Sequence, residues 1–91
     1  MLSIAENQES PHLPGVISAG QTRAARALLG WSQTELAEKA GVGRSTVDKL
    51  ERGEGKPKAD FVAAIQRAIE AAGVYPIHED QWGGEGVRFV K

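Results

Sequence analysis

The sequence of 91 residues contains no cysteine and only two histidines, His12 and His78. Disulfide bonds and thiolate metal sites are therefore excluded, and two distant histidines do not supply the set of about four ligands that a metal site needs. No apolar run approaches the length of about 20 residues that a membrane-spanning helix requires. The first ten residues carry two glutamates and no basic residue, unlike a secretory signal. We expect a cytoplasmic protein without metal, cofactor or membrane contact.

The sequence also lacks the common signatures of catalysis. It has no paired histidines, no nucleophile-elbow motif and no glycine loop of the kind that binds phosphate. The glycine-rich stretch at residues 83–86 is short and contains Glu85, which fits a turn better than a phosphate site. We therefore expect that the protein is not an enzyme.

An excess of basic charge is absent from the chain as a whole, which has a formal net charge of −1. The distribution is uneven, however, because residues 39–58 contain six basic and three acidic residues and so carry +3. Residues 70–91 carry −2. The basic segment is compatible with nucleic-acid binding, and equally with charges on solvated helix faces.

Four helices are predicted from their boundary signals. Two capping boxes, Ser18 with Gln21 and Ser32 with Glu35, mark helix starts, because each serine and its partner satisfy free amides of the first turn. Glycines follow the predicted helix ends at residues 29, 40, 52 and 72. Residues 1–16 are polar, contain two prolines and lack periodicity, which predicts a flexible N-terminal tail.

The fourth helix and the segment after it complete the predicted architecture. Phe61, Ile65 and Ile69 recur every four residues and are predicted to face the core. Residues 74–78 and 86–90 are rich in β-forming residues and are separated by a loop with two glycines, which predicts a small C-terminal hairpin. Pro76 lacks an amide donor and favours an edge position for the first strand.

The second and third helices carry the pattern of a DNA-reading motif. Ala37 is small where two helices cross, and Gly41 suits a tight turn. Leu36, Val47 and Leu50 are spaced to fill the space between the helices. A short helix pair joined at a sharp angle by a three-residue turn is typical of helix-turn-helix proteins.

The run at residues 29–53 resembles the Xre/Cro/C1 helix-turn-helix family of phage repressors and bacterial regulators, and the resemblance covers about residues 17–73. The matching positions are Ser32-Gln33, Leu36-Ala37, Gly41, Val47 and Leu50-Glu51-x-Gly53. This resemblance implies an all-α, lambda-repressor-like bundle of four to five helices, which binds double-stranded DNA through its third helix, commonly as a dimer. Two departures are Gly43, where the family often has a capping serine or threonine, and the hairpin in place of a fifth helix.

The resemblance also implies roles for individual residues. The expected base contacts, in the major groove, are Arg44, Ser45 and Lys49. The expected phosphate contacts are Gln33, Thr46, Arg52, Lys56 and Lys58. Arg26 and Glu51 occupy the positions of a structural ion pair that docks the first helix onto the third.

Two functions remain open at this point. The first is a sequence-specific transcriptional regulator that binds a palindromic operator as a homodimer. The second is an antitoxin that binds DNA and, through its C-terminal segment, a toxin. For the hairpin at residues 74–91, both dimerisation and packing on its own helices are compatible with its apolar residues.

Overall fold

A computed structural model describes residues 16–90 of the chain. The four helices are α1 (Ala19–Leu29), α2 (Gln33–Ala40), α3 (Arg44–Arg52) and α4 (Ala59–Ala71), and the two strands are β1 (Val74–Ile77) and β2 (Gly86–Phe89). The predicted helical bundle with a C-terminal hairpin is confirmed, and the number of helices is four. Helix α4 and both strands are each one residue shorter than predicted. The predicted N-terminal tail, residues 1–16, lies outside the described residues except for Val16.

Both predicted capping boxes are present. The Ser18 hydroxyl accepts from the Gln21 amide at 3.1 Å, and the Gln21 side chain accepts from the Ser18 amide at 2.9 Å. Ser32 and Glu35 make the same two bonds, at 3.0 and 2.8 Å. These bonds satisfy amides that have no partner within the helix, which explains why α1 and α2 begin where they do.

The turn between α2 and α3 depends on Gly41. This residue has φ of 74°, in the left-handed region, and its amide donates to the Ala37 carbonyl at 2.8 Å. A side chain at this position would meet no atom within 4 Å, so the backbone conformation and not a shortage of space favours glycine. Because α2 ends tightly at Ala40, only three residues separate it from α3.

The core is formed by all four helices together with Ile17, which precedes α1, and the first residue of β1. Its buried apolar residues are Ile17, Ala25, Leu36, Ala37, Val47, Leu50, Ile65, Ile69 and Val74. The prediction that Phe61 faces this core is wrong, because its ring is 39% exposed. Val62 packs against the core instead. At 100° per residue, Val62 lies about 20° from the direction of Ile69 and Phe61 about 40° from that of Ile65, on opposite sides of the buried stripe. The packing of the other elements therefore decides that Val62 is covered and Phe61 is not.

The hairpin packs against α1 and α4. Its strands are antiparallel, with Val74 opposite Phe89 and Pro76 opposite Val87. Val74 is fully buried and Val87 packs against the core. The buried Gln21 side chain donates to the carbonyls of Ile77 and Gly86, both at 3.0 Å, and so fastens the hairpin to α1.

Candidate nucleic-acid interface

Helix α3 has one buried and one exposed side. Val47, Leu50 and Glu51 are buried against the other helices. The exposed side carries Arg44, Ser45 and Lys49, the three predicted base contacts. Because α3 is short and follows α2 after a three-residue turn, it presents this polar side at the surface of the domain. The structure therefore brings the three residues together on one accessible helix side.

Arg44 is held by a residue of α2. Its guanidinium donates to the Gln33 side-chain oxygen at 3.0 Å. The Gln33 amide nitrogen in turn donates to Asp48 at 3.2 Å and to Glu51 at 3.1 Å. Gln33, a predicted phosphate contact, thus links α2 to three side chains of α3. The hydrogen bond from Arg44 to Gln33 orients the Arg44 side chain at the start of α3. This orientation is present before any partner binds.

The predicted structural pair, Arg26 and Glu51, is brought together in bidentate geometry. Arg26 Nε lies 2.7 Å from Glu51 Oε2, and Arg26 Nη2 lies 2.9 Å from Glu51 Oε1. The Glu51 side chain is only 3% exposed, so its carboxylate has lost most of its water. The two charged hydrogen bonds from Arg26 offset the free-energy cost of this desolvation. The hydrogen bond to Glu51, with the attraction of its charge, raises the pKa of Arg26. The Arg23 guanidinium also donates to the Glu51 backbone carbonyl, which joins α1 to α3 a second time.

Asp48 is a member of this network that the sequence interpretation did not single out. The Gln33 hydrogen bond is the main cause that lowers the pKa of Asp48, and the charge of Arg52 adds to it. Arg52 Nη2 lies 3.0 Å from Asp48 Oδ2, one helical turn away. The signal in the sequence was the spacing of four residues from Asp48 to both Arg44 and Arg52, which places opposite charges side by side on a helix.

The four predicted phosphate contacts other than Gln33 fall into two groups. Arg52 is engaged with Asp48 and, at 3.5 Å, with Glu54, and these two carboxylates raise its pKa. Thr46, Lys56 and Lys58 instead line an open cleft of about 270 Å³ between α3 and the start of α4. The second group is therefore available at the surface, whereas Arg52 would have to exchange carboxylate partners for phosphate.

Residues 16–90 contain no group of three or more side chains suited to holding a metal ion. Within the same residues, none of the helices has the length and apolar character needed to cross a membrane.

Comparison with known proteins identifies a family. The sequence model of a family described as helix-turn-helix matches residues 23–71, which is more than half of the chain and includes α2, the turn and α3. The hairpin lies outside the matched residues. No curated protein matches the sequence.

Proposed function

Because the chain belongs to the Cro/C1-type helix-turn-helix family of DNA-binding regulators, we propose that it is a sequence-specific transcriptional regulator that reads the major groove with α3. The observation that carries this proposal is the exposed side of α3, with Arg44 already oriented by Gln33 at 3.0 Å. A major groove about 12 Å wide admits one helix, and the side chains that reach base edges come from that helix.

Arg44, Ser45 and Lys49 are the proposed base contacts. Guanine presents two acceptors, O6 and N7, in the major groove, so arginine and lysine both suit it. Ser45 has a hydroxyl that both donates and accepts, and it therefore tolerates several bases. We expect at least one guanine in each half-site, opposite Arg44.

Gln33, Thr46, Arg52, Lys56 and Lys58 are the proposed phosphate contacts. Contacts of this kind set the position of the protein on the duplex and carry no sequence information of their own. Their contribution falls as salt rises, because each neutralised phosphate releases condensed counterions. The contributions of Arg52 and Gln33 are reduced, because each must give up bonds within the protein. Arg52 is bonded to Asp48 and Glu54, and the Gln33 amide donates to Asp48 and Glu51.

A homodimer on a palindromic operator fits a reader of this size. One recognition helix covers only a few base pairs, and two copies can read half-sites about 34–36 Å apart. We propose that residues 17–73 form the DNA-binding unit and that residues 74–91 supply the dimer contact. Support comes from the exposed apolar side chains of this segment, which are Tyr75, Ile77, Trp82, Phe89 and Val90.

The experiment that tests the proposal is the selection of bound sequences from random duplex DNA, with the full chain and with Arg44→Ala. We expect the parent to select a palindrome and the variant to lose the preference at one position of each half-site, at a cost of about 1–3 kcal/mol. Exposed Glu38→Ala on α2 is the control and should select the parent sequence. If Arg44→Ala selects the same motif with the same affinity, the assignment of α3 is wrong.

An antitoxin is the second candidate, and the exposed apolar outer side of the hairpin is the observation that favours it. Trp82 is 85% exposed, which is unusual for a large aromatic side chain. Coexpression with the product of the adjacent gene distinguishes the two functions. A regulator binds its operator unaided, whereas an antitoxin forms a stable complex with that product. In either role we expect the protein to act on DNA in the cytoplasm.

A further inference from the structure

Phe61 is an exposed aromatic residue in an unexpected place. The other exposed large apolar residues of the described chain are on the hairpin or on and before α1: Val16, Leu28, Tyr75, Ile77, Trp82, Phe89 and Val90. Phe61 alone lies beside α3, in the first turn of α4. Its ring is 39% exposed, and the core position is occupied by its neighbour Val62. Packing of the domain therefore does not explain why a phenylalanine stands there.

The ring lies in a cleft with basic walls. Thr46 and Lys49 of α3 form one wall, and the loop with Lys56 and Lys58 forms the other. The Lys58 ammonium lies 5.8 Å from the centre of the Phe61 ring. Within residues 16–90 none of the three lysines forms an ion pair, whereas the one carboxylate of the cleft, Glu54, is engaged with Arg52. The cleft thus combines free positive charge with an apolar surface.

Position and charge favour a segment of DNA backbone as the occupant of this open cleft, which has a volume of about 270 Å³. One of its walls is α3 itself, so a duplex engaged by this helix passes the opening of the cleft. Lysines match the phosphates of a backbone, and a ring face matches the apolar side of its deoxyribose.

We propose that this cleft binds the sugar-phosphate backbone of one DNA strand, with the Phe61 ring packed against a deoxyribose and Lys56 and Lys58 around the flanking phosphates, while Lys49 at its edge reaches the bases. The inference rests on the proposed function and adds to it a contact that is neither electrostatic nor a reader of bases. Such a contact contributes equally on every sequence, because all nucleotides carry the same sugar.

The contact has a measurable signature. Phe61→Ala removes apolar surface and no charge, so affinity should fall by about three- to tenfold on all duplexes while its dependence on salt is unchanged. Lys56→Ala should also weaken binding to all sequences, but it should reduce the slope of log K against log salt by about one unit. The two variants are therefore distinguished by slope and not by affinity.

The experiment measures the affinity of the full chain and its variants for the selected duplex and for an unrelated duplex at salt concentrations between about 50 and 200 mM. Over this range the loss of a phosphate contact changes the slope of log K against log salt measurably. Phe61→Leu keeps an apolar side chain and should recover most of the affinity. Leu28→Ala removes a comparably exposed apolar residue (43% exposed, on α1) and should bind as the parent does. Thermal melts of each variant establish that the fold is intact.

Unchanged affinity of a folded Phe61→Ala on both duplexes overturns the proposal, and so does a changed preferred sequence, because that would make Phe61 a base contact. If Phe61→Ala leaves affinity unchanged but Arg44→Ala still alters base preference, the proposed function stands and only the backbone contact is wrong. A parent chain that binds no duplex would instead refute the proposed function itself.

Discussion

Glu51 is the residue on which the interior polar network depends. Its carboxylate is almost fully buried and accepts from Arg26 and Gln33. A charge at such a site is tolerated because several charged or polar donors replace its water. The same carboxylate joins α1, α2 and α3, so it holds α3 in place from the buried side of that helix.

Glu51→Ala should destabilise the protein. The change leaves Arg26 without its partner, at an expected cost of about 2–4 kcal/mol, less than for a fully buried pair because Arg26 retains some contact with water. Denaturant unfolding measures the loss. Glu54→Ala is the control, since its bond to Arg52 is exposed and should be worth well under about 1 kcal/mol. Equal stability of Glu51→Ala and the parent would show that the pair has no structural role.

Asp48 should affect stability in acid. Its pKa is lowered in the folded state, first by Gln33 and then by Arg52. The stabilisation from its charge is therefore complete above the pKa of the unfolded chain, about 3.9, and is lost as pH falls through the lower folded value. Asp48→Asn should flatten the decline of stability in this acid range. A carboxyl titration by NMR with a midpoint at or above the unfolded value would contradict this.

At the scale of elements, the recognition helix α3 begins without a side-chain cap. Gly43 precedes it without a side-chain hydrogen bond, whereas α1 and α2 each begin with a serine. The φ of Gly43 is −77°, which any residue adopts, and a Cβ there would lie 3.9 Å from the Ser45 hydroxyl. A residue with a capping side chain, such as serine, can therefore replace Gly43 at the start of α3.

Gly43→Ser should stabilise the protein by about 0.5–1 kcal/mol, through a new cap and a less flexible unfolded chain. Gly41→Ser is the matched comparison, two residues away, and should destabilise by about 1 kcal/mol because its φ is 74°. Thermal melts of the two variants should move in opposite directions. A loss of stability in Gly43→Ser would indicate that the start of α3 is constrained by something other than capping.

At the scale of the whole molecule, the hairpin has both an inner and an outer side. Val74 is fully buried, and Gln21 binds two hairpin carbonyls. Deleting residues 74–91 would therefore remove part of the core, so this deletion does not test the proposed dimer contact by itself. Tyr75 and Ile77, which are 43% and 37% exposed on the outer side of β1, are better positions at which to test assembly.

Ile77→Asp should convert a dimer into a folded monomer. A charge in an apolar contact between two copies is costly, whereas the same charge on an exposed strand of the monomer is not. Sedimentation should show the loss of the dimer, with weaker binding to a palindrome and unchanged binding to a single half-site. Arg88 lies opposite Tyr75 in the hairpin. Loss of the dimer in sedimentation of Arg88→Asp would indicate that the proposed contact extends to β2. A parent chain that is monomeric at DNA-binding concentrations would exclude the hairpin dimer.

The boundaries of the elements and the turn of the motif were predictable from the sequence. Capping boxes span four residues and glycine stops act within one turn, so their physics is contained in short segments such as Ser18 to Gln21. The helix-turn-helix pattern, with Ala37 and Gly41 at fixed spacing, likewise depends on neighbours along the chain. For these features the sequence by itself determined the local structure and, through it, the family.

Apart from the Arg26–Glu51 pair, which the family resemblance implied, only the tertiary structure decided which polar side chains meet across elements. Phe61 fitted the helical period as well as Ile65 did, but only the packing of the other elements determines which direction on α4 is covered, and it covers Val62. The bond of Gln33 to Arg44 and the fastening of the hairpin by Gln21 join residues that are 11 and at least 56 positions apart. Such contacts depend on the relative position of whole helices and strands, which no local pattern specifies.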